Sequence, residues 1–116
     1  MQAIEKVMWW LLANSLGGES RAKILVELLS SPQNANSISK NLRLDYKTIR
    51  YHLKVLEENG LITSVGKDYG KTYFPSDELE RCRDCFNGIL DRLGMKLGKK
   101  MNISKKIKGK DDNDRN

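Results

Sequence analysis

NSISKNLRLDYKTIRYHLKVLEENG, residues 36–60, reads as two helices joined by a tight corner. In the first, Asn36 or Ser37 is the expected N-cap, and Ile38 and Leu42 recur four apart on one face. Arg43 and Leu44 turn the chain, with Leu44 as the apolar plug the corner would bury. Asp45 is the expected N-cap of the second helix, because its carboxylate can accept from free amides one turn on. Tyr46, Ile49, Leu53 and Leu56 then fall at the 3-4-3 spacing of a buried stripe. Asn59-Gly60 ends the helix with a residue that tolerates positive φ.

The other face of the second helix is basic. At about 100° per residue, Lys47, Tyr51 and Lys54 lie opposite the apolar stripe, with Thr48 and Arg50 on its flanks. Cations there can meet phosphate, and Arg or Lys can bond to the acceptor edge of guanine in the major groove. Charges on an amphipathic helix are ordinarily just solvated. Their place on the second helix of a short helix-turn-helix turns the reading toward DNA.

Moving outward, the period changes after Gly60. Residues 61–65 and 72–74 are β-prone runs, and the loop between them has glycines near both ends, so a hairpin is expected. Its tip carries Lys67, Tyr69 and Lys71, and it directly follows the basic helix, as a wing over residues 61–75 would. A hairpin with a merely soluble tip would carry the same lysines, so its position supports the argument, not its composition.

On the other side, residues 3–15 (AIEKVMWWLLANS) read as a helix apolar almost all round. Ile4, Val7, Met8, Leu11 and Leu12 form one broad face, widened by Trp9 and Trp10. A helix of that kind is expected to be covered twice, by its own domain and by a second subunit. Leu16-Gly17-Gly18 breaks it, and Ala22, Ile24, Leu25, Leu28 and Leu29 then give the stripe of a helix ending near Ser30. Residues 31–34, with Pro32 among them, are expected as a loop. No apolar run reaches the length of a membrane span, and the Val7-to-Ala13 run makes a poor signal peptide, so a cytoplasmic protein with no membrane partner is expected.

With 116 residues, a net charge of +6 and a pI near 9.4, the chain has room for one small domain and favours a polyanionic partner. Residues 99–116 hold seven Lys/Arg against three Asp, which is +4 of that charge. The remaining residues carry only +2, unlike a protein that coats chromatin as a general polycation, so the body's positive charge must be clustered if it matters.

Residues about 18–75 resemble the winged helix-turn-helix of the ArsR family of bacterial and archaeal repressors. The resemblance rests on Thr48-Ile49-Arg50-Tyr51-His52-Leu53-Lys54-Val55-Leu56-Glu57-Glu58-Asn59-Gly60-Leu61-Ile62. It follows the family's x-V-S-x-H-L-K-x-L-x-x-x-G-L-V pattern, with Arg50 where the family often has Ser. The signature is specific for the winged-helix superfamily and is shared by MarR-like regulators. It implies a homodimer that reads a near-palindromic operator. It does not imply metal sensing, because Ser37-Ile38-Ser39-Lys40 stands where metal-sensing members carry a Cys-x-Cys site, and no His lies on the last helix. His52, at the family's own His position, reads as a packing residue.

The last helix is expected over residues 76–97. Ser76 is its N-cap, and Asp77, Glu78 and Glu80 lie at its positive end. Leu79, Cys82, Phe86, Ile89 and Leu93 follow a 3-4-3-4 seam, assigned with Met8, Trp9 and Leu12 to a dimer interface. Cys82 and Cys85 lie three apart. They read as small buried apolar residues, and a metal site, a redox pair or a bridge across a dimer axis stays open. One chain offers two sulfurs where zinc takes four ligands, so no metal and no cofactor is assigned.

The expected architecture is thus mainly α with a small β-hairpin: a winged helix-turn-helix in residues 1–97, whose N- and C-terminal helices form a dimer interface. Residues 98–116 form a basic tail expected to be disordered. The expected function is sequence-specific binding of double-stranded DNA as a dimeric transcriptional regulator. Residues 46–59 would enter the major groove, and the wing would lie on the flanking backbone or minor groove. Lys47, Thr48, Arg50, Tyr51, Lys54, Lys67, Tyr69 and Lys71 are the candidate contacts. An architectural DNA binder and a protein-interaction module are the alternatives. With one His, no Gly-rich phosphate loop and no nucleophile–base pair, an enzyme is not expected.

Overall fold

In a computed structural model, which describes residues 3–13 and 16–95, six helices and three short strands follow one another. They run α1 (Ala3–Ala13), α2 (Gly18–Ser30), β1 (Gln33–Asn34), α3 (Ala35–Leu42), α4 (Tyr46–Glu58), β2 (Ile62–Val65), β3 (Thr72–Pro75), α5 (Asp77–Arg81) and α6 (Arg83–Arg92). The expected mainly helical fold with a small wing is what forms. Residues 14 and 15, the basic tail over residues 98–116 and the last two residues of the expected final helix lie outside the described residues.

The corner between α3 and α4 is built locally. Arg43 caps α3 with left-handed backbone at φ 57°, and the Ser39 hydroxyl donates to the Leu44 carbonyl at 2.6 Å. Asp45 caps α4 as expected, accepting from the Thr48 amide at 3.0 Å. At the far end Gly60 takes φ 78°, which a side chain would strain, and the Leu61 amide returns to the Leu56 carbonyl at 3.0 Å. Ile38, Ile49, Leu53 and Leu56 are fully buried against Ile24, Leu25 and Leu28 of α2 in one continuous core.

Two expectations about α3 are corrected. Its N-cap is Asn34, whose side chain accepts from the Ser37 amide at 2.8 Å, and neither Asn36 nor Ser37 caps it. The segment before it is not wholly loop. Gln33 and Asn34 pair antiparallel with Tyr73 and Thr72, so the sheet has three strands in the order β1-β3-β2. The β2–β3 hairpin leaves one edge of β3 open, and this dipeptide satisfies it. The Gln33 side chain then ties the strand down, donating to Glu27 at 3.0 Å and accepting from Asn41 at 2.9 Å.

The last helix is not one helix. It breaks at Cys82, whose backbone (φ −115°, ψ 28°) ends α5 and starts α6, and Cys82 is disulfide-bonded to Cys85. Ser76 does cap it, accepting from the Leu79 amide at 3.1 Å. Arg83 anchors the second half, donating to Glu80 at 2.8 Å and to the Leu29 carbonyl at 3.1 Å.

The apolar seam goes to a different use from the one expected. Met8, Leu12, Leu79, Cys82, Phe86 and Ile89 are all buried within the single chain, in a core to which the packing of α6 on α1 contributes. The core begun by the helix-turn-helix extends through these two helices, so an apolar stripe that looks spare in sequence is spent closing the domain. Of the assigned interface residues, only Trp9 and Leu93 are half-buried, and Arg92 lies over the Trp9 ring at 6.0 Å. The exposed large apolar side chain that α1 itself carries is Trp10, 62% exposed.

Candidate nucleic-acid interface

The basic helix face forms because the buried stripe of α4 fixes its rotation. With Ile49, Leu53 and Leu56 inside, Lys47, Thr48, Tyr51 and Lys54 point outward and Arg50 sits half-buried at the flank. The hairpin returns beside this face, held in register by Ile62 opposite Pro75 and Val65 opposite Thr72. Ser64 donates to the Glu57 carboxylate at 2.7 Å, which pins β2 to the end of α4.

Between helix and hairpin lies a groove of about 450 Å³ lined by Arg50, Tyr51, Lys54, Glu57, Lys71 and Tyr73. Three cations from two consecutive elements share it, with a single carboxylate that is already engaged by Ser64. Burial pushes the Tyr73 hydroxyl above its ordinary range, with Arg50 opposing the shift.

A second cleft of about 410 Å³ opens between the starts of α3 and α4 and the hairpin tip, lined by Asn34, Asn36, Tyr46 and Tyr69. Arg50 joins the two clefts. It donates from Nη1 to the Tyr46 hydroxyl at 3.0 Å, and its guanidinium carbon lies 5.8 Å from the Tyr46 ring centre and 5.5 Å from that of Tyr69. The Tyr46 hydroxyl, more than any other group, holds the Arg50 guanidinium above its ordinary range. Of the expected contacts, Arg50, Tyr51, Lys54 and Lys71 thus converge on one groove and Tyr69 on the neighbouring cleft. Lys47 and Thr48 are exposed farther up α4, and Lys67 is exposed before the tip, where a single 3-10 turn spans Asp68–Gly70.

Two roles were missed in the sequence. The spacing puts Tyr46 in the buried stripe, yet it is half-buried with its hydroxyl turned to Arg50, because its place in the first turn of α4 overhangs the core edge. The i, i+4 spacing of Tyr46 and Arg50 was the available signal. Arg21 gave no signal at all. It is buried on α2, donates from Nε to the Leu11 carbonyl at 3.1 Å, and lies 3.2 Å from His52 Nδ1. His52 is a packing residue, as expected, and a hydrogen-bonded one. Burial first, and the Arg21 charge second, hold its pKa below the usual histidine range. Among the described residues no cluster of three or more His, Cys, Asp or Glu could hold a metal ion, and the disulfide takes both sulfurs out of that role. No helix among them is long and apolar enough to cross a membrane.

Residues 18–64 match the family model described as "Bacterial regulatory protein, arsR family". Over 64 residues the chain is 33% identical to an uncharacterized HTH-type transcriptional regulator of Methanocaldococcus jannaschii. That alignment takes in 55% of this chain and 16% of the relative, so the chain spans about one sixth of its length. Among solved structures, an ArsR-like transcriptional regulator from a Rhodococcus species superposes with a TM-score of 0.54 and 25% identity, covering 90% of this chain and 92% of that one. HlyU from Vibrio cholerae superposes with a TM-score of 0.58 at 22% identity, over 77% of this chain and 97% of that one, a likeness of fold. The matched helices, completed by the three-stranded sheet and framed by α1 and α6, have the winged helix-turn-helix fold, and residues 18–64 are similar to the ArsR family.

Proposed function

We propose that this protein is a transcriptional regulator that binds double-stranded DNA sequence-specifically, as a homodimer. In this reading α4 enters the major groove and the β2–β3 wing lies on the flanking backbone or minor groove. The observation that carries it is the groove in which Arg50 and Lys54 of the helix meet Lys71 of the wing. Lys54 and Lys71, brought together by helix and wing, offer cations to a sugar-phosphate strand, and Arg50 shares their groove from the recognition helix. The ArsR-type fold around the groove supports the same reading. A second copy would dock on the side of α1 that bears the exposed Trp10. Two copies of α4 related by a two-fold axis would then meet successive major grooves about 34 Å apart.

The test selects bound duplexes from a randomised pool and measures affinity for the winner against salt. Lys54→Ala and Lys71→Ala should each weaken binding to all duplexes alike and lower the salt slope by about one. Lys47→Ala, on the outward face, should also weaken it. Unchanged affinity in all three folded variants would rule this face out. Even binding of every duplex by the wild type would make the protein architectural instead.

A further inference from the structure

We infer that Tyr46 and Tyr69 are positioning residues that set Arg50 as the reader of a single guanine, which makes base recognition depend jointly on the recognition helix and the wing. The inference rests on the DNA-binding reading above and goes beyond it by naming the residues that confer specificity at one base.

Arg50 is the natural candidate for a base contact because it lies in the N-terminal half of α4, the part of a recognition helix that meets base edges. A free arginine on an exposed helix samples many rotamers, and this one does not have that freedom. From its own helix, Tyr46 accepts one N–H at 3.0 Å and offers a ring 5.8 Å from the guanidinium carbon. From the wing, the Tyr69 ring stands at 5.5 Å. Both distances lie within the range of cation–π attraction. One donor is engaged by Tyr46. The other N–H groups of the planar fork remain for O6 and N7 of guanine, the commonest bidentate contact in the major groove.

Tyr69 has no evident structural duty that would explain its place. It is 79% exposed, at the middle of the short 3-10 turn Asp68–Gly70. The turn holds Asp68 at φ 51°, in left-handed backbone, and the Gly70 amide bonds to the Lys67 carbonyl at 2.9 Å. This conformation carries the Tyr69 ring from the wing to within 5.5 Å of the Arg50 guanidinium carbon. The other aromatic partner, Tyr46, shares the small cleft with Tyr69, beside Asn34 and Asn36. The arrangement therefore fixes the arginine from two sides and leaves its outer edge toward the groove it shares with Lys54 and Lys71. Lysine would substitute poorly: its ammonium can bond to guanine but has neither the plane that stacks between the two rings nor the rigid fork they hold in place.

The test is selection from a randomised duplex pool, repeated for the wild type, Arg50→Lys, Tyr46→Phe, Tyr69→Ala and Tyr69→Phe, with thermal unfolding and salt slope measured on each. The wild type should prefer guanine at one position per half-site, by roughly 5- to 150-fold over the other bases. Arg50→Lys should reduce that preference at least as far as either tyrosine variant does, because the ammonium lacks the fork that the two rings hold. Tyr46→Phe, which removes only the hydroxyl, and Tyr69→Ala should each reduce it several-fold at that position alone, with unfolding and salt slope unchanged. Tyr69→Phe, which keeps the ring, should restore it. Three results would overturn the inference and leave the DNA reading standing: tyrosine variants that retain the guanine preference, that lose affinity evenly over all sequences, or that gain affinity because Arg50 had been held back. A wild type that selects no sequence overturns sequence-specific reading itself, and this inference with it.

Discussion

Replacing Phe86 with alanine distinguishes two uses of the apolar stripe on the last helix. Phe86 is fully buried in the single chain, among the α6 residues that close the core against α1. Truncating a buried phenylalanine costs about 3–5 kcal/mol, the lost transfer energy plus the cavity left behind. Against a total stability of about 5–15 kcal/mol for a domain this size, that is a large share. Ile89→Val, at a site 2% exposed, gives a milder companion of about 0.5–1.5 kcal/mol. Urea unfolding should be followed by circular dichroism at two protein concentrations a hundredfold apart. If the stripe is intrachain core, both variants lose these amounts at both concentrations, and sedimentation gives a dimer dissociation constant equal to the wild type's. If it is instead a subunit interface, the loss would concentrate in the dissociation constant and the dilute protein would unfold like the wild type. The second pattern would refute the placement of α6 on α1, and with it the claim that the seam is spent within one chain.

Three further outcomes follow from other parts of the chain. His52 is held neutral by burial and by Arg21, so its folded pKa lies below its unfolded value near 6.5. The unfolded chain therefore binds a proton before the folded one, and stability should be full above about pH 6.5 and fall as pH drops through the window below it. His52→Gln should flatten that fall in urea titrations run from pH 7.5 to 5, and an unchanged slope would exclude His52 as its cause. Gly17 takes φ 127° with its backbone against the His52 ring, and an added Cβ would lie 2.6 Å from His52 Cε1. Gly17→Ala should therefore cost about 1–3 kcal/mol in unfolding free energy, more than a surface substitution, and a neutral effect would show that the ring is not seated there. The Cys82–Cys85 bridge closes a loop of three residues' separation, so reduction should lower stability by no more than about 2 kcal/mol. Because the pair sits at the break between α5 and α6, reduction should also change operator affinity, and equal affinity for reduced, oxidised and Cys82→Ser, Cys85→Ser protein would leave the cysteines as packing.

By itself the sequence determined what local chemistry can specify. Asp45 caps α4, Gly60 ends it, and Ile49, Leu53 and Leu56 face inward because each signal acts within a turn or two of the chain. The hairpin was readable for the same reason, from two β-prone runs around a glycine-bounded loop. Only the tertiary structure decided where an apolar stripe goes. The spacing of Leu79, Cys82, Phe86 and Ile89 states that one face must be buried and is silent about whether α1 or another subunit buries it. It also decided the strand at Gln33–Asn34, since two residues carry no period and pair only because β3 offers an edge. The same holds for contacts made across long stretches of chain: Arg21 with His52, Lys71 beside Lys54, and Tyr69 over Arg50. A residue's neighbours along the chain fix its local conformation, but partners distant in sequence meet only when the whole core has closed, and the groove that would read DNA is made of such meetings.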